Sequence, residues 1–553
     1  MCAGKTVTEL EISSSRRDAR EKFEAGYYQI QIYSPAEVHL GDECRTYNQK
    51  GHFMSYKKRI YAAVLIICLA AGVFAVGKSG MQMKSEQERE QQESFLNRRK
   101  DTLRLWYMDE SLTDYLNAAA VAYSEQSDVR VETVLIEDSE YIEAINDASL
   151  GRSDRPGPDL YLITNDCLEK AYLAGLAAEI TEQNMFRNID YESQGAEAAV
   201  TYDGKVVAYP FYYEACALLY NKTYLEDHAK LILEAEADQA EGEAAQAEAD
   251  AGNVEEEATQ TEETREFTEE EIAHRAWECL PDTIAELEEF ADSYNAPEQV
   301  EAVFKWDVSD ILYNYSFAGD HLIVGGENGD DPNQINIYNL ETLQCLTTFQ
   351  ELNQFFSIET RDVTYDSVMQ DFLDGKIVFT VAGTEAVNRM AKAQANGSFA
   401  YEYGFYSMPD LTEELNSRSL SITTCIVING YTEFEAQANE FAQFMMNDWT
   451  SGLNLQESTG KMPVYGFPQY DENHTFAAAY DESMPIPKMM TTGNFWVQME
   501  IAFTNIWEGG DANALLKELS EQIMRQVTGN DDYTEEYIEL PVEEEPEEEY
   551  TEE

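Results

Sequence analysis

Hydrophobic and polar positions along the chain change repeatedly between the period of a strand and that of a helix, starting at residue 103. The short apolar runs at 103–106 and 129–136 are typical of strands, and the segment between them, 112–126, repeats apolar residues at helical spacing. A helical pattern at 141–150 and a strand at 159–163 continue the alternation. Strands separated by helices at this spacing predict βαβ units and a largely parallel sheet, with ligands bound beyond the carboxyl ends of the strands.

The alternation continues almost to the end of the chain. Strand-like runs follow at 216–220, 377–381, 403–408 and 422–428, and helical patterns at 307–320, 336–354, 433–448, 495–507 and 512–527. A chain of 553 residues exceeds the usual size of a single hydrophobic core. We therefore predict two α/β lobes with additional segments attached to them.

The stretch 208–222 is where we expect the chain to pass from one lobe to the other. Pro210 is expected to prevent a regular strand from starting there. Three aromatic residues and Glu214 follow it, and an apolar run of strand character occupies 216–220. Our hypothesis is that Glu214 and its neighbouring tyrosines face a cleft between the lobes.

Acidic residues dominate the charge, because 106 Asp and Glu against 37 Lys and Arg give a formal net charge of -69. This charge argues against a nucleic-acid partner, since phosphate contacts need basic residues. Much of the acid lies in two low-complexity tracts, 234–271 and 531–553, which bury too little apolar surface to order a chain. We predict a disordered insertion at about 229–278, at most a loose helix, and a disordered tail at 530–553.

The N-terminal part contains a basic flank, 55–59, followed by roughly 17 apolar residues. This pattern predicts one transmembrane helix at 60–77, an uncleaved signal anchor, with the basic flank inside the cell and the body outside. A cleaved signal peptide is the alternative, because 73–75 resembles a small-residue cleavage site. Bulky isoleucines before Cys68 argue against a lipid anchor.

The other N-terminal segments follow from that helix. Residues 1–59 are a cytoplasmic segment, or translation begins at Met54. A polar stalk at 78–101 would join the helix to the body at 102–529. We therefore expect a single-pass protein of the cell membrane, with an extracellular binding domain on a bacterial surface of the Gram-positive type.

Motifs for metal or nucleotide chemistry are weak in this sequence. The six histidines form no HxxxH pair, and the loop at 328–331 lacks the later glutamate of a calcium loop. The segment 458–461 resembles a phosphate loop, but Met462 stands where that loop needs serine or threonine. Eight cysteines without a CxxC pair fit small buried hydrophobes better than a disulfide framework. We expect no metal, no cofactor and no catalysis.

Aromatic, carboxylate and amide side chains collect instead near the ends of predicted strands. Sugars bind through aromatic faces that cover their C–H surfaces and through carboxylates and amides that accept hydroxyl protons. Taken singly, each such residue is more often core or solvated surface. Our candidate ligand-binding residues are Trp106, Glu110, Asn165, Asp166, Tyr212, Glu214, Asp307 and Trp496.

Several stretches resemble the extracellular solute-binding proteins of ABC importers, and within them the maltose and maltodextrin-binding group. The stretches are 103–110, 162–180, 208–222, 371–383, 408–410 and 484–496. They follow the family's order, with the acidic tract as an insertion. The resemblance implies a two-lobed periplasmic-binding-protein-like fold of type II, with mixed, mainly parallel sheets and a hinge.

The resemblance also implies roles for individual residues. The first two loops that border the cleft would hold Trp106, Glu110 and Asp166. Glu214 matches a ligand-contacting glutamate just past the first lobe crossing, and Asp307 matches a further carboxylate. Trp496 matches a tryptophan that stacks on sugar.

A few positions depart from the pattern of the sugar binders. Ile163 and the pair Thr384 and Glu385 stand where those proteins have aromatic residues. Tyr212 and Tyr213 stand where they have smaller residues. A different sugar, or another polar solute, is therefore an alternative to a long maltodextrin.

We expect a membrane-anchored solute-binding protein that closes on a carbohydrate-like small molecule, a sugar or oligosaccharide, and delivers it to the permease of an ABC importer. It would act as a monomer and not as an enzyme. The alternative is a ligand-sensing, signalling or adhesion receptor with the same fold and anchor. An enzyme on this fold is a third option, which cleavage of a glycan would favour.

Overall fold

The computed structural model describes residues 101–181, 193–250, 266–361, 363–447, 454–465 and 473–541. All of them belong to one compact unit, residues 90–553. The predicted cytoplasmic segment, the signal anchor and the stalk up to residue 100 lie outside the described residues, as does the end of the tail, 542–553. Within the described part, no helix is both long and apolar enough to span a bilayer.

The secondary structure alternates as the sequence pattern predicts. The strands are β1 Asp101–Tyr107, β2 Val129–Leu135, β3 Leu160–Thr164, β4 Thr201–Tyr202, β5 Lys205–Val206, β6 Tyr209–Glu214, β7 Cys216–Asn221, β8 Ala302–Phe304, β9 Ile323–Val324, β10 Ile335–Asn336, β11 Ile377–Gly383, β12 Tyr403–Tyr406, β13 Leu420–Ile428, β14 Met462–Pro463 and β15 Met484–Pro485.

The helices are α1 Thr113–Gln126, α2 Tyr141–Ser149, α3 Leu168–Leu173, α4 Gln194–Val200, α5 Lys222–Asp250, α6 Glu269–Glu278, α7 Ile284–Ser293, α8 Ile311–Asn314, α9 Leu340–Phe356, α10 Tyr365–Leu373, α11 Glu385–Asn396, α12 Glu435–Asn447, α13 Leu455–Thr459, α14 Asn473–Glu482, α15 Phe495–Trp507 and α16 Ala512–Thr528. The helix expected at 307–320 is shorter than predicted, because only α8 and a 3-10 turn, Tyr315–Phe317, form there.

Lobe 1 is built around a sheet with strand order β14-β6-β13-β3-β1-β2, in which β15 also pairs with β13. β1 runs parallel to both β2 and β3, and Leu105 lies opposite Thr133 on one side and Leu160 on the other. This is the βαβ arrangement that the sequence pattern predicts. The carboxyl ends of β1 and β3 therefore lie at one edge of the sheet.

Lobe 2 contains a smaller sheet with strand order β12-β7-β11-β8. The two large sheets are mixed, as predicted, but the expectation of mainly parallel strands is wrong. β13 is antiparallel to β3 and β6, and β7 is antiparallel to β11 and β12. The path of the chain explains the difference, because β13 and β7 each enter their lobe from the other one and so run against their neighbours.

Among the residues that the structure describes, three segments connect the lobes. The first is Ala215, which separates β6 in lobe 1 from β7 in lobe 2 and is fully buried. The crossing expected within 208–222 therefore lies at this residue. The second segment, 407–419, leads from β12 back to β13. The third, 486–494, leads from β15 to α15, which packs against α9 in lobe 2.

The acidic insertion differs from the prediction, because its described parts form two packed helices. α5 continues directly from β7, and its first turns are anchored by the buried Tyr224, Leu225 and Ala229. α6 packs beside α5, where Arg275 lies 2.6 Å from Glu236. Alanine and glutamate favour helix when one end is held by the core, so 229–250 and 269–278 form packed helices where the prediction allowed at most a loose helix. Residues 251–265 lie outside the described part.

The beginning of the acidic tail also packs on the body. The Ile538 amide donates to the Tyr338 hydroxyl (3.0 Å), and the Asn513 amide donates to the Ile538 carbonyl (2.7 Å). The Ser520 hydroxyl donates to Glu535 at 2.7 Å. The described part of the tail, 530–541, therefore differs from the predicted disorder, because polar contacts at Glu535 and Ile538 hold it along lobe 2.

Candidate functional site

The carboxyl ends of β1 and β3 border a cavity of about 410 Å³ in lobe 1. This is the edge of the sheet at which parallel strands present their loops to a ligand. The cavity walls include Met108, Asp109, Tyr141, Thr164, Tyr212 and Thr424. The sequence pattern places ligand binding at this same edge, and of the predicted contacts Tyr212 is among the walls of the cavity.

Lys461 joins two of the loops at this edge. Its ammonium lies 3.0 Å from Oδ2 of Asp109 and 3.9 Å from Oε1 of Glu214. The same ammonium lies 5.4 Å from the centre of the Tyr212 ring. The pairing of Met462 with Tyr213 explains the arrangement, because it places β14 beside β6 and brings the preceding lysine to the cleft.

These groups change one another's proton affinity. Burial of Lys461 lowers the pKa of its ammonium, but the neighbouring phenol and carboxylates outweigh burial and hold the pKa above its ordinary value. Burial raises the pKa of Glu214, and Asp109 raises it further, whereas Lys461 acts in the opposite direction. Glu214 remains partly exposed, with 43% of its side chain accessible. It can therefore reach a ligand and accept hydrogen bonds from it.

Lobe 2 contributes aromatic rings and carboxylates to the opposite side. Tyr313 of α8 and Tyr365 of α10 are stacked, with ring centres 4.5 Å apart and an angle of 7° between their planes. The Gly383 amide donates to the Tyr365 hydroxyl at 3.2 Å, which fixes that ring at the end of β11. Asp310 and Glu385 act on the same region, since each raises the pKa of Glu214 in lobe 1.

Two of the predicted site residues, Tyr212 and Glu214, lie at this cleft. Glu110 is exposed at the start of a 3-10 turn, Glu110–Leu112, while its neighbour Asp109 borders the cavity. Asp166 is partly buried and accepts a hydrogen bond from the Thr164 hydroxyl. The first predicted cleft loop therefore borders the cavity through Asp109, and the predicted Glu110 is exposed beside it.

The other predicted residues mainly support the walls. Trp106 is only 1% exposed and lies in a core cluster behind β1. Asn165 is fully buried, donating to the Ile486 carbonyl at 2.9 Å and accepting from the Thr423 amide at 3.0 Å. The side-chain amide of Asn165 therefore links β13 of lobe 1 to the third connecting segment.

Asp307 and Trp496 both lie in lobe 2. Asp307 is 6% exposed, and its two oxygens accept from the backbone amides of Ser309 (2.9 Å) and Tyr365 (2.8 Å). Trp496 is partly exposed at the start of α15, with its ring centre 5.9 Å from that of Tyr315. Asp307 therefore organises the loop that carries Asp310, whereas Trp496 retains free surface.

The positions that depart from the sugar binders have distinct locations. Ile163 borders the cavity, and Thr384 is buried with its hydroxyl donating to the Tyr213 carbonyl at 3.3 Å. Tyr213 is also buried and stacks on Tyr480, with ring centres 4.0 Å apart. Of the two tyrosines in the first crossing, only Tyr212 therefore borders the cavity.

The sequence reading missed Asp109, Lys461, Tyr313 and Tyr365. Asp109 lies within one of the stretches that resemble the family, so that signal was present. Lys461 drew attention only as part of a false phosphate loop, and the two tyrosines are separated by 52 positions (365 minus 313). Only the fold brings such distant residues together.

The sequence and the fold were compared with those of known proteins. The model of the bacterial extracellular solute-binding protein family matches residues 118–464. A comparison with curated proteins finds no match.

Solved structures of similar fold include an extracellular solute-binding protein from Staphylococcus aureus in complex with maltose. It has a TM-score of 0.58 and 17% identity, covering 78% of this chain and 98% of that one. A maltose-binding periplasmic protein from Listeria monocytogenes, in complex with maltose, has a TM-score of 0.55 and 18% identity, covering 79% and 99%. A Thermus thermophilus maltotriose-binding protein, bound with maltotriose, has a TM-score of 0.52 and 17% identity, covering 77% and 99%. At these identities the likeness establishes the fold.

Proposed function

Because the chain belongs to the family of bacterial extracellular solute-binding proteins, we propose that it captures a carbohydrate-like small molecule in the cleft between its lobes and delivers it to an ABC importer. Family membership makes the chain a binding protein and not an enzyme. The carbohydrate-like ligand and the ABC importer as the receiving partner are the parts that we propose.

The observation that carries the proposal is the group formed by Asp109, Tyr212, Glu214 and Lys461 at the edge of the lobe 1 sheet. A sugar needs an aromatic face for its C–H surface and charged or amide groups for its hydroxyls. Lys461 can donate to hydroxyl oxygens, and Glu214 can accept hydroxyl protons. Tyr365, which is partly exposed and stacks on the buried Tyr313, offers further aromatic surface in lobe 2.

The predicted residues take different parts in this proposal. Tyr212, Glu214 and the partly exposed Trp496 would contact the ligand, and Glu110 and Asp166 would border the entrance. Trp106, Asn165 and Asp307 would hold the walls from behind, because their side chains are buried. The fold of the sugar complexes named above supports a ligand of the same general class.

Binding would work through closure of the two lobes about the three connecting segments. A ligand that contacts both lobes stabilises the closed state, and the population shifts only as far as its affinities for the open and closed states differ. Contacts from Glu214 on one side and Tyr365 on the other would supply that difference. The closed form would then be the one presented to the permease.

The protein would act at the outer face of the cell membrane as a monomer, anchored by the apolar segment at 60–77. The support for an anchor is the basic flank followed by that apolar run. A cytoplasmic N-terminal segment at 1–59, a polar stalk at 78–101 and a body at 102–529, followed by the acidic tail, complete the proposed organisation.

Thermal unfolding of the full chain tests the ligand class. The protein would be held in a detergent without a sugar headgroup and screened against mono- and oligosaccharides, amino acids and short peptides. A ligand at 100 times its dissociation constant should add about 2.7 kcal/mol to the free energy of unfolding. A clear shift with an amino acid or peptide, and none with any sugar, would overturn the carbohydrate class.

A further inference from the structure

Lys488 lies in the third connecting segment and is fully buried. Its ammonium donates to the backbone carbonyls of Ala198, at 2.7 Å, and of Asn328. A buried ammonium is costly unless hydrogen bonds or charges compensate for the water that it loses. Both acceptors in the described part of the chain are neutral carbonyls, so the charge is compensated only in part.

The two carbonyls belong to different lobes. Ala198 lies in the last turn of α4, which packs on β6 and β13 of lobe 1, and the last carbonyls of a helix have no partner within it. Asn328 lies in the loop 325–334 between β9 and β10. At the start of α9 in lobe 2, the Asn339 side chain donates to the His321 carbonyl beside this hairpin at 2.9 Å. The ammonium therefore joins lobe 1 to a loop held by lobe 2.

The backbone around Lys488 changes lobes at the preceding proline. The Ile486 amide donates to the Ser421 carbonyl of β13 at 2.8 Å, whereas the Lys488 amide donates to the Gly329 carbonyl at 2.8 Å. Gly329 has a left-handed φ of 65°, and a Cβ there would lie 2.9 Å from the Cα of Pro487. Glycine thus lets the loop approach the segment closely. Lys488 therefore lies where the third connecting segment passes from lobe 1 to lobe 2.

The same loop makes a second contact between the lobes. The Asp330 carboxylate accepts from the backbone amide of Asp203, in the turn between β4 and β5, at 2.8 Å. Its negative charge also favours the protonated form of Lys488. The segment 328–331, which lacks the glutamate of a calcium loop, therefore lies against an ammonium that the chain itself supplies.

Lys488 changes charge close to neutral pH in this orientation of the lobes. Burial lowers the pKa of its ammonium from 10.5 to about 8, although Asp330 and Cys425 act in the opposite direction. Burial also raises the pKa of the Cys425 thiol, so this thiol keeps its proton near pH 8. The titratable side chains on the elements around Lys488 are Glu169 of α3, Tyr202 and Asp203 of the β4–β5 hairpin, Asp330 of the loop and Cys425 of β13.

The proton affinity of Lys488 depends on how the lobes are placed. A rotation that separates the end of α4 from the loop 325–334 lets water reach the ammonium, and its pKa then returns toward 10.5. The orientation with the lower pKa binds the proton less tightly, so its population rises as pH increases from about 8 to 10.5. Below about pH 8 the charged ammonium favours orientations in which it is hydrated.

We propose that Lys488 is a positioning residue that makes the angle between the lobes sensitive to pH, because its charge disfavours the orientation of this structure and loss of its proton favours it. The proton acts through two contacts, the end of α4 on one side and the carbonyl of Asn328 on the other. This inference goes beyond the proposed function, since it concerns the chain without a ligand.

Single-molecule energy transfer in the full chain, held in detergent without ligand, tests the angle directly. The dyes are attached at Val121 of α1 and Lys392 of α11, two exposed positions in different lobes. Non-natural amino acids carry the dyes, so that the native cysteines stay in place. We expect the ratio of this orientation to the others to rise about tenfold between pH 7 and pH 9.5.

A matched pair of variants assigns the effect to Lys488. Lys488→Met keeps the length of the side chain without a titrating group, and an apolar replacement of a buried charge is often neutral or stabilising. We expect this variant to lose the pH dependence and to show at pH 7 the distribution that the parent chain shows at pH 9.5. Lys230→Met changes an exposed lysine on α5 and should respond to pH as the parent does.

The pH series of the parent chain decides the inference even where Lys488→Met does not fold. An unchanged dye separation between pH 7 and pH 9.5 overturns it, as does a shift away from this orientation at the higher pH. A pH response that persists in Lys488→Met assigns the effect to other groups and overturns it too. Sugar binding at constant pH is a separate measurement, so neither result decides the other.

Discussion

Lys461 and Asp109 form an ion pair of 3.0 Å that joins the segment before β14 to the loop after β1. The two side chains are 26% and 34% exposed, so solvent screens the pair only in part. The pair closes one side of the cleft and places the ammonium beside Glu214 and Tyr212. Its strength therefore affects both the stability of lobe 1 and the shape of the ligand site.

Removing this pair should reveal a measurable coupling. We expect Lys461→Met and Asp109→Asn, alone and together, to give a coupling energy of about 1 kcal/mol in urea unfolding. The exposed Lys392 on α11 provides the control, because Lys392→Met should not couple to Asp109→Asn. A coupling energy of zero for the Lys461 pair would show that the contact is not maintained in solution.

Glu214 should contribute directly to affinity. Replacing it with glutamine removes the charge but keeps the shape, and we expect binding of the best ligand from the thermal screen to weaken about tenfold. The variant should unfold no earlier than the parent chain, because burial and neighbouring acids raise the pKa of Glu214. Glu125→Gln, on the exposed face of α1, is the control. Unchanged affinity in Glu214→Gln would remove this residue from the site.

Trp496 should affect both affinity and stability. Its ring packs against Phe495 and Tyr315, with centres 5.1 Å and 5.9 Å away, so Trp496→Ala should cost about 1–2 kcal/mol of unfolding free energy. Sugar binding, measured by titration under conditions where the variant is folded, should weaken about tenfold. Trp277 is 60% exposed on α6 and serves as the control, since Trp277→Ala should not change binding. Equal affinity of the two variants would contradict stacking by Trp496.

Asp481 gives the protein a pH-dependent stability. Burial raises the pKa of this carboxyl from 3.8 to about 6, and it accepts a hydrogen bond from the Ser193 hydroxyl. The folded state therefore binds the proton more tightly than the unfolded state. The resulting stability is complete below pH 3.8 and is lost as pH rises through about 6.

We expect Asp481→Asn to flatten the dependence of urea unfolding on pH between 3.8 and about 6. Asparagine can still accept from Ser193, so the variant should gain stability relative to the parent at the upper end of this range. Glu289→Gln changes an exposed glutamate on α7, which does not act on Asp481, and should leave the slope unaltered. A slope that Asp481→Asn does not change would assign the pH dependence to other groups.

Structural features that depend on neighbouring residues in the sequence can be predicted from it, whereas features that depend on distant elements cannot. Thr283 caps α7 and exchanges hydrogen bonds with Glu286, a start that the threonine and the glutamate three positions later are enough to specify. Pro210 was expected to block a regular strand, yet it pairs with Cys425 inside β6, where the register with β13 shifts. A bulge of this kind depends on the partner strand, which the local sequence does not identify.

The candidate site follows the same rule. Glu214 was found because it stands beside the crossing, in a stretch with a recognisable order of residues. Lys461 and Tyr365 were not found, because β14 and α10 reach the cleft only through pairing and packing with distant elements. Trp106 was assigned to the cleft from its residue type and from the family resemblance, but the pleat of β1 turns its side chain into the core.

Gly195 and Gly242 should respond in opposite ways to the same substitution. A Cβ at Gly195, in α4, would lie 2.3 Å from the carbonyl oxygen of Tyr480, and a backbone atom cannot move away cheaply. Gly195→Ala should therefore cost about 2 kcal/mol of unfolding free energy, because α4 and α14 must separate. Gly242 lies within α5 with nothing inside 4 Å of its added Cβ, so Gly242→Ala should stabilise by up to about 1 kcal/mol. Urea unfolding of both variants measures the difference, and destabilisation by Gly242→Ala would mean that the acidic tract does not form the helix α5 in solution.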